Sequence, residues 1–426
     1  MKAVFRLLAS FALLLLSVTS SACGSSSSGN GFDDHDGGAG AGDASGAFDA
    51  DLRTDGEGGA PAVLGHLTGK VLAPEGTIPI SNALLYLVPS LPAAIPSHVY
   101  CDKCVKLTAD TAYTYSKPDG SFDLGATALG TQYLVVQKGQ FRRVRQVSVT
   151  AGNQSVLAAN TTLPAKSDPP NGDDIPKMAI VEGAWDHIEL SLAKLGLAKI
   201  VSNGIFGDTV TDASFDIKNV GLLSDASALD GYHIVFIPCS FSSGTTCSTS
   251  QPSGNGDVQN RLRAFVTAGG KVYVTDYSYE FVRQPWPGFM TWENQTTELG
   301  SACMPGSYDA PANVDDPGLK SWLTAIGETS VTLQQSWTAI SGLSPQQGLD
   351  SEGKLVTITP KVWVSAKRTS STTPATVSFE NGCGRVLFST YHTEGNGNAA
   401  LLAQEKTLLY VLLEVGVCVG LPPPPR

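Results

Sequence analysis

Charge is scarce in this chain. Only 16% of its 426 residues are Asp, Glu, Lys or Arg, with Lys+Arg 28 against Asp+Glu 39 and a formal net charge of −11 at pH 7. Phosphate contact needs clustered Lys and Arg, so this acidic, charge-poor chain is not expected to bind nucleic acid. Long apolar runs are missing as well. The stretch from Leu7 to Val18 is about a dozen residues long, where a spanning helix needs roughly 20, and no later stretch reaches that length. What is present is enough apolar material for a core: 42% hydrophobic residues, mean hydropathy +0.02 and 44.4 kDa. That mass suits two ordinary domains and excludes wholesale disorder. Gly 45 and Pro 25 favour β-rich structure with many turns, or long linkers.

Lys2 and Arg6, the apolar run after them and the small residues up to Cys23 have the layout of a secretory signal peptide over residues 1–22. Ser20-Ser21-Ala22-Cys23 resembles the bacterial lipoprotein signal, whose cysteine is diacylated and becomes the mature N-terminus; Ser20 stands where that motif usually has Leu. The resemblance implies lipidation at Cys23 and a cell outer-membrane lipoprotein, on the periplasmic or surface face. Simple cleavage and secretion is the alternative. Residues 23–62 read as a disordered Gly/Ser/Asp tether, because they cannot bury enough apolar surface to fold. Residues 24–60 hold the acids Asp33, Asp34, Asp36, Asp43, Asp49, Asp51, Asp55 and Glu57 against Arg53 alone. Their spacing is not that of an EF-hand loop, so they read as a solvated spacer rather than a calcium site. Much of the net charge therefore sits in the tether and says little about what the folded part recognises.

Residues 63–164 read as β throughout. Strands are expected at His66–Leu72 and Asn82–Val88, after the turn Pro118–Phe122, and in a hairpin of Tyr133–Lys138 with Arg142–Val149 about Gly139. Short strands at this spacing indicate a β-sandwich of transthyretin or immunoglobulin type. The run "TGKVLAPEGTIPISNALLYL … PDGSFDL … YLVVQKGQFRRVRQVSV" resembles the carboxypeptidase regulatory-like domain. That likeness implies a carbohydrate-binding-like fold with an accessory role and no active site.

Residues 165–176, rich in Pro, Asp and Gly, read as a linker. From 177 to 420 strands alternate with helices. Apolar strands are expected at Met178–Val181, His233–Ile237, Lys271–Thr275 and Gly384–Thr390. Helical faces are expected at Ile188/Leu192/Leu195, at Val258/Leu262/Phe265/Val266 and over Ala399–Val415, with a Pro-rich tail at 421–426. Such alternation implies a mostly parallel sheet covered on both faces, an α/β three-layer domain. The segments "YHIVFIPCS", "LRAFVTAGGKVYVTDYSYE" and "GRVLFSTYHTE" resemble the class I glutamine amidotransferase-like fold, which is flavodoxin-like. The whole arrangement also resembles secreted proteins of large-genome soil bacteria.

In amidotransferases of that class a nucleophilic Cys on a sharp turn after a strand works with a His-x-Glu pair on a later loop. His392-Thr393-Glu394 matches the pair in spacing and place, and such a histidine can serve as general base with the carboxylate orienting it. The turn after Thr275 reads Asp276-Tyr277-Ser278-Tyr279-Glu280. It has no Cys and lacks the small residues a nucleophile elbow needs. Ser278 is the only ordinary hydroxyl nucleophile there, so the expected site is degenerate. A hydrolase of amide or ester bonds using His392, Glu394 and Ser278 is the competing reading.

Cysteines in an oxidising envelope tend to pair. Cys239 and Cys247 flank a Ser/Gly/Thr loop and are expected to form a local disulfide. Cys101-Asp102-Lys103-Cys104 lies outside a thioredoxin-like βαβ context and, even with His98, lacks an evident fourth zinc ligand, so it too reads as a structural disulfide. Pairing Cys383 with Cys418 leaves Cys303 over. No metal or cofactor is expected. Trp286, Phe289 and Trp292 are a candidate ligand platform for a sugar ring or peptide, with packing into the core as the alternative. Taken together, the expectation is a membrane-anchored envelope lipoprotein that binds or scaffolds an envelope glycan or protein and does not catalyse.

Overall fold

The computed structural model describes residues 62–102, 104–108, 110–183, 185–202, 207–240, 254–302, 304, 306–393, 400–413 and 419–420. Every described residue belongs to one compact unit. Among the described residues no helix is long and apolar enough to cross a membrane.

The first part is built from two sheets. One has the order β4-β1-β7, from β1 (Gly65–Lys70), β4 (Ser121–Ala126) and β7 (Gly152–Ser155). The other has the order β3-β2-β5-β6-β8, from β2 (Leu84–Val88), β3 (Tyr113–Tyr115), β5 (Gly130–Lys138), β6 (Phe141–Val149) and β8 (Asp173–Asp174). Alternation along the strands decides which side is wet. Phe122, Leu124 and Ala126 of β4 turn inward while Asp123 is exposed, as the period of two requires. The β5–β6 hairpin turns at Gly139, whose φ of 55° needs glycine's freedom. Residues 165–176 carry β8, which pairs with β6 in the register Arg142↔Asp174. The buried Arg142 guanidinium grips the Asp174 carboxylate there at 2.7 Å.

The second part is one nine-stranded sheet. Its order is β10-β9-β11-β12-β17-β16-β15-β13-β14, from β9 (Met178–Val181), β10 (Asp216–Lys218), β11 (Ile234–Ile237), β12 (Lys271–Thr275), β13 (Tyr308–Val314), β14 (Thr332–Ser336), β15 (Lys361–Lys367), β16 (Thr372–Asn381) and β17 (Gly384–Ser389). The first five in that order run parallel. The last four continue the sheet antiparallel. Every residue of β9, β11 and β12 is buried, the signature of strands covered on both faces. Helix α1 (Ile188–Leu192) and helix α4 (Ala403–Leu413) contribute to one core, which contains Met178, Ile234 and Tyr273. Helix α2 (Gly256–Thr267) contributes to the other through Val258, Leu262, Phe265 and Val266, and Asn255 caps it by accepting from the Asp257 N–H. Helix α3 (Pro317–Ala325) is capped in the same way by Asp316.

The two parts share a core. Leu67, Leu85, Leu134 and Val136 lie in the same apolar cluster as Met178, Ile234, Tyr273 and Trp322. The Trp322 indole N–H donates to the Pro79 carbonyl at 2.7 Å across the junction.

Candidate functional site

The two edges of the parallel sheet have different fates. Its amino edge is covered by residues 96–101 of the first part. The Val99 N–H donates to the Asp230 carbonyl, and His233, just before β11, is held on both nitrogens. Nδ1 accepts from the Lys177 N–H at 2.7 Å, so the proton sits on Nε2, which donates to the Pro96 carbonyl at 2.9 Å. Burial holds this imidazole down, with a pKa of about 4. Gly269 has φ 119°, and a Cβ on it would meet the Tyr100 carbonyl oxygen at 1.9 Å, so only glycine lets the loop lie this close. Cys101 on that loop is disulfide-bonded to Cys383, which lies between β16 and β17, with the Cα atoms 5.1 Å apart.

The carboxyl edge gathers polar groups from four loops. Asp186 follows β9, Cys239 follows β11, Asp276 follows β12 and His392 follows β17. Asp186 is buried and accepts from the Thr275 hydroxyl at 2.7 Å, from the Thr393 N–H at 3.0 Å and from the Thr393 hydroxyl. The Cys239 N–H in turn donates to the Thr275 Oγ1 at 2.7 Å. Asp276 is fully buried and has φ 45°, a backbone state rare outside glycine and, where it occurs, common at functional turns. Its carboxylate accepts from the Thr338 hydroxyl at 2.8 Å, and both oxygens lie 3.1 Å from the Trp337 N–H. His392 Nε2 lies 3.3 Å from Oδ2. Burial raises the Asp276 pKa to about 6, while His392, Thr338 and the Trp337 N–H oppose that rise. Burial, reinforced by the Asp276 charge, also pushes the Cys239 thiol well above its ordinary range. One donor atom each from Cys239, Asp276 and His392 lies within 4.8 Å of the other two.

The parallel strands therefore follow the spatial order 2-1-3-4-5 when counted in chain order, and polar residues collect at their carboxyl ends. The α/β domain is flavodoxin-like.

No protein-family model matches the chain, and no curated protein matches it. Among solved structures it is similar to a GMP synthase-type protein from Thermoplasma acidophilum, at 11% identity and TM-score 0.33 over 56% of this chain and 94% of that one. A ThuA-like protein from Bacteroides uniformis aligns at 12% identity and TM-score 0.32 over 55% of this chain and 88% of that one. The GH42 β-galactosidase Gan42B of G. stearothermophilus aligns at 13% identity and TM-score 0.31 over 57% of this chain. The chain spans 30% of that enzyme's length.

The flavodoxin-like domain places the sequence candidates unevenly. His392 is brought to the turn after β12, but its partner there is Asp276 and not Ser278. Ser278 is buried, and its hydroxyl donates to the Pro238 carbonyl at 2.7 Å. Glu394 lies outside the described residues, as do Cys23, Cys247, Cys303 and Cys418. Trp286, Phe289 and Trp292 form no exposed platform: all three are buried, and Phe289 stacks on Phe379 with centroids 4.1 Å apart. Burial wins because this segment packs across the apolar residues of β16 and β17.

The cysteines also pair differently from the local expectation. Cys101 bonds Cys383 instead of Cys104, because the loop over the amino edge carries it to the β16–β17 turn; Cys383 is thereby unavailable to Cys418. Cys104 is itself disulfide-bonded. Cys239 is a free, buried thiol and so is not joined to Cys247; its backbone is pinned against Thr275 at the end of β12.

Three residues were passed over by sequence reasoning, among them the buried Asp186, which no local pattern marks. Asp276 is the first residue after its strand, and that position was its available signal. Trp185, adjacent to Asp186, is 52% exposed, and its N–H donates to the Cys239 carbonyl at 3.3 Å; a lone Trp in a loop carries no periodic signal.

Proposed function

We propose that the chain is an exported, lipid-anchored envelope protein whose folded body binds an envelope glycan or peptide at the carboxyl edge of its parallel sheet without turning it over. The observation that carries this reading is the state of Asp276. It occupies the strained turn after β12, where the resembled amidotransferase fold has its nucleophile, yet it is fully buried and its carboxylate is held by Trp337, Thr338 and His392. A carboxylate held in this way is a poor nucleophile, and Ser278 is turned away toward Pro238. Two further observations support the reading. The Cys101–Cys383 disulfide fits an oxidising compartment. Trp185, whose backbone N–H is held by the Cys239 carbonyl beside Asp186 at that edge, is 52% exposed and presents an aromatic face there.

The first part's two sheets fit the carboxypeptidase regulatory-like sandwich, which here buttresses the opposite edge. Lipidation at Cys23 would then leave the body at the membrane on an acidic spacer. The test is a pull-down with lipid-free protein against envelope extract, purified envelope glycans and peptidoglycan. Retention that Trp185→Ala abolishes supports the reading; failure to retain any of these materials counts against it.

A further inference from the structure

We propose that Cys239, Asp276 and His392 form a binding site for a divalent cation of the zinc type, with three protein ligands and a fourth position left to water or a small ligand. No metal was expected from the sequence, because these residues lie far apart along it. The fold brings them together at the ends of three adjacent parallel strands, β11, β12 and β17, and all three are buried.

The spacing distinguishes a metal site from a catalytic relay. In a nucleophile–His–carboxylate relay the two partners sit on opposite nitrogens of the ring, roughly 7 Å or more from each other. Here the thiol and the carboxylate lie within 4.8 Å of each other and of one imidazole nitrogen. That convergence describes three corners of a small polyhedron. Tetrahedral zinc, with Zn–N and Zn–O bonds of about 2.0–2.2 Å, sets the N···O edge at roughly 3.4 Å. The His392 Nε2 to Asp276 Oδ2 distance is 3.3 Å. Edges to a thiolate come to roughly 3.6 Å, so side-chain adjustment of at most about 1.2 Å closes the sphere.

The donor set and its support point the same way. Thiolate, imidazole and carboxylate together suit zinc, whereas calcium and magnesium take oxygen ligands. Each ligand is braced from behind. The Cys239 N–H is held by Thr275, which is held by Asp186. Asp276 is held by Trp337 and Thr338. The His392 carbonyl accepts from the Gln404 side chain at 3.0 Å. Such outer hydrogen bonds orient ligands in metal sites generally. Cys239 is also a free thiol among described residues in which Cys101, Cys104 and Cys383 are disulfide-bonded.

The test uses the full chain, purified after export and dialysed against zinc and against cobalt(II). Wild type should hold about one zinc per chain and, with cobalt(II), show the thiolate-to-metal charge-transfer band of a tetrahedral site. Cys239→Ser should lose that band while keeping its far-UV circular dichroism, and His392→Gln should lower zinc content at least tenfold. If either variant fails to fold, wild type alone decides: the cobalt(II) charge-transfer band should saturate at about one equivalent per chain and be displaced by added zinc. The proposal is overturned if wild type binds no zinc and gives no charge-transfer band, or if Cys239→Ser binds zinc as wild type does.

Discussion

The carboxylate of Asp186 holds Thr275 from one strand end and Thr393 from another, accepting from the first hydroxyl at 2.7 Å and from the second residue's N–H at 3.0 Å. This one buried side chain therefore fixes the spacing of the loops that carry Cys239, Asp276 and His392. Asp186→Ala would leave buried donors on Thr275 and Thr393 without an acceptor, each costing about 1–3 kcal/mol. A loss of about 3–5 kcal/mol in urea unfolding is expected, with Asp186→Asn intermediate.

Removing the Cys101–Cys383 bond, which closes 282 residues of chain, should cost about 2–4 kcal/mol of unfolding free energy. Cys101→Ser with Cys383→Ser, kept together so that no odd thiol is released, is the variant to compare by chemical denaturation. Peptide mapping under non-reducing conditions should show the Cys101–Cys383 linkage directly.

His233 should stay neutral in the folded protein until the pH approaches about 4. Its ordinary value is 6.5, so as pH falls the unfolded chain takes up the proton first. Stability contributed by the neutral ring is complete above pH 6.5 and is lost between there and about pH 4, to the extent of about 3 kcal/mol. The stability difference between wild type and His233→Phe isolates this group, because titration elsewhere cancels. The difference should shrink as pH falls through that window, and the imidazole resonance of His233 should not move until its lower end.

Trp185→Ala and Phe289→Ala should behave in opposite ways. Trp185 is 52% exposed, so its removal should change stability by less than about 1 kcal/mol while abolishing ligand retention. Phe289 is buried against Phe379 and its removal should cost about 3–5 kcal/mol. Denaturation and retention measured on the same preparations separate the two.

Much of the α/β framework is legible from periodicity alone. The apolar quartet Val258, Leu262, Phe265 and Val266 marks α2, and the unbroken apolar strands mark the parallel sheet. The antiparallel extension is not legible in that way. β15 and β16 pair with register shifts between Val362 and Val364 and between Val364 and Ser365, which break the alternation that would reveal them. The site divides along the same line. His392 shows itself through its spacing to Glu394, but the role of Asp276 depends on a φ of 45° and on Trp337, sixty-one residues away, neither of which a local pattern encodes. Disulfide partners depend on which loops the fold lays together, so the Cys101–Cys383 link has no local signature.

Binding without turnover is most directly tested on the ligand itself. Material retained by wild-type protein from purified peptidoglycan fragments or envelope glycans should be incubated with excess protein, released and weighed by mass spectrometry. Recovery of the ligand at unchanged mass is the expected result. Recovery of fragments that have gained water across an amide or ester bond, with wild type but not with His392→Ala, would contradict it and establish a hydrolase.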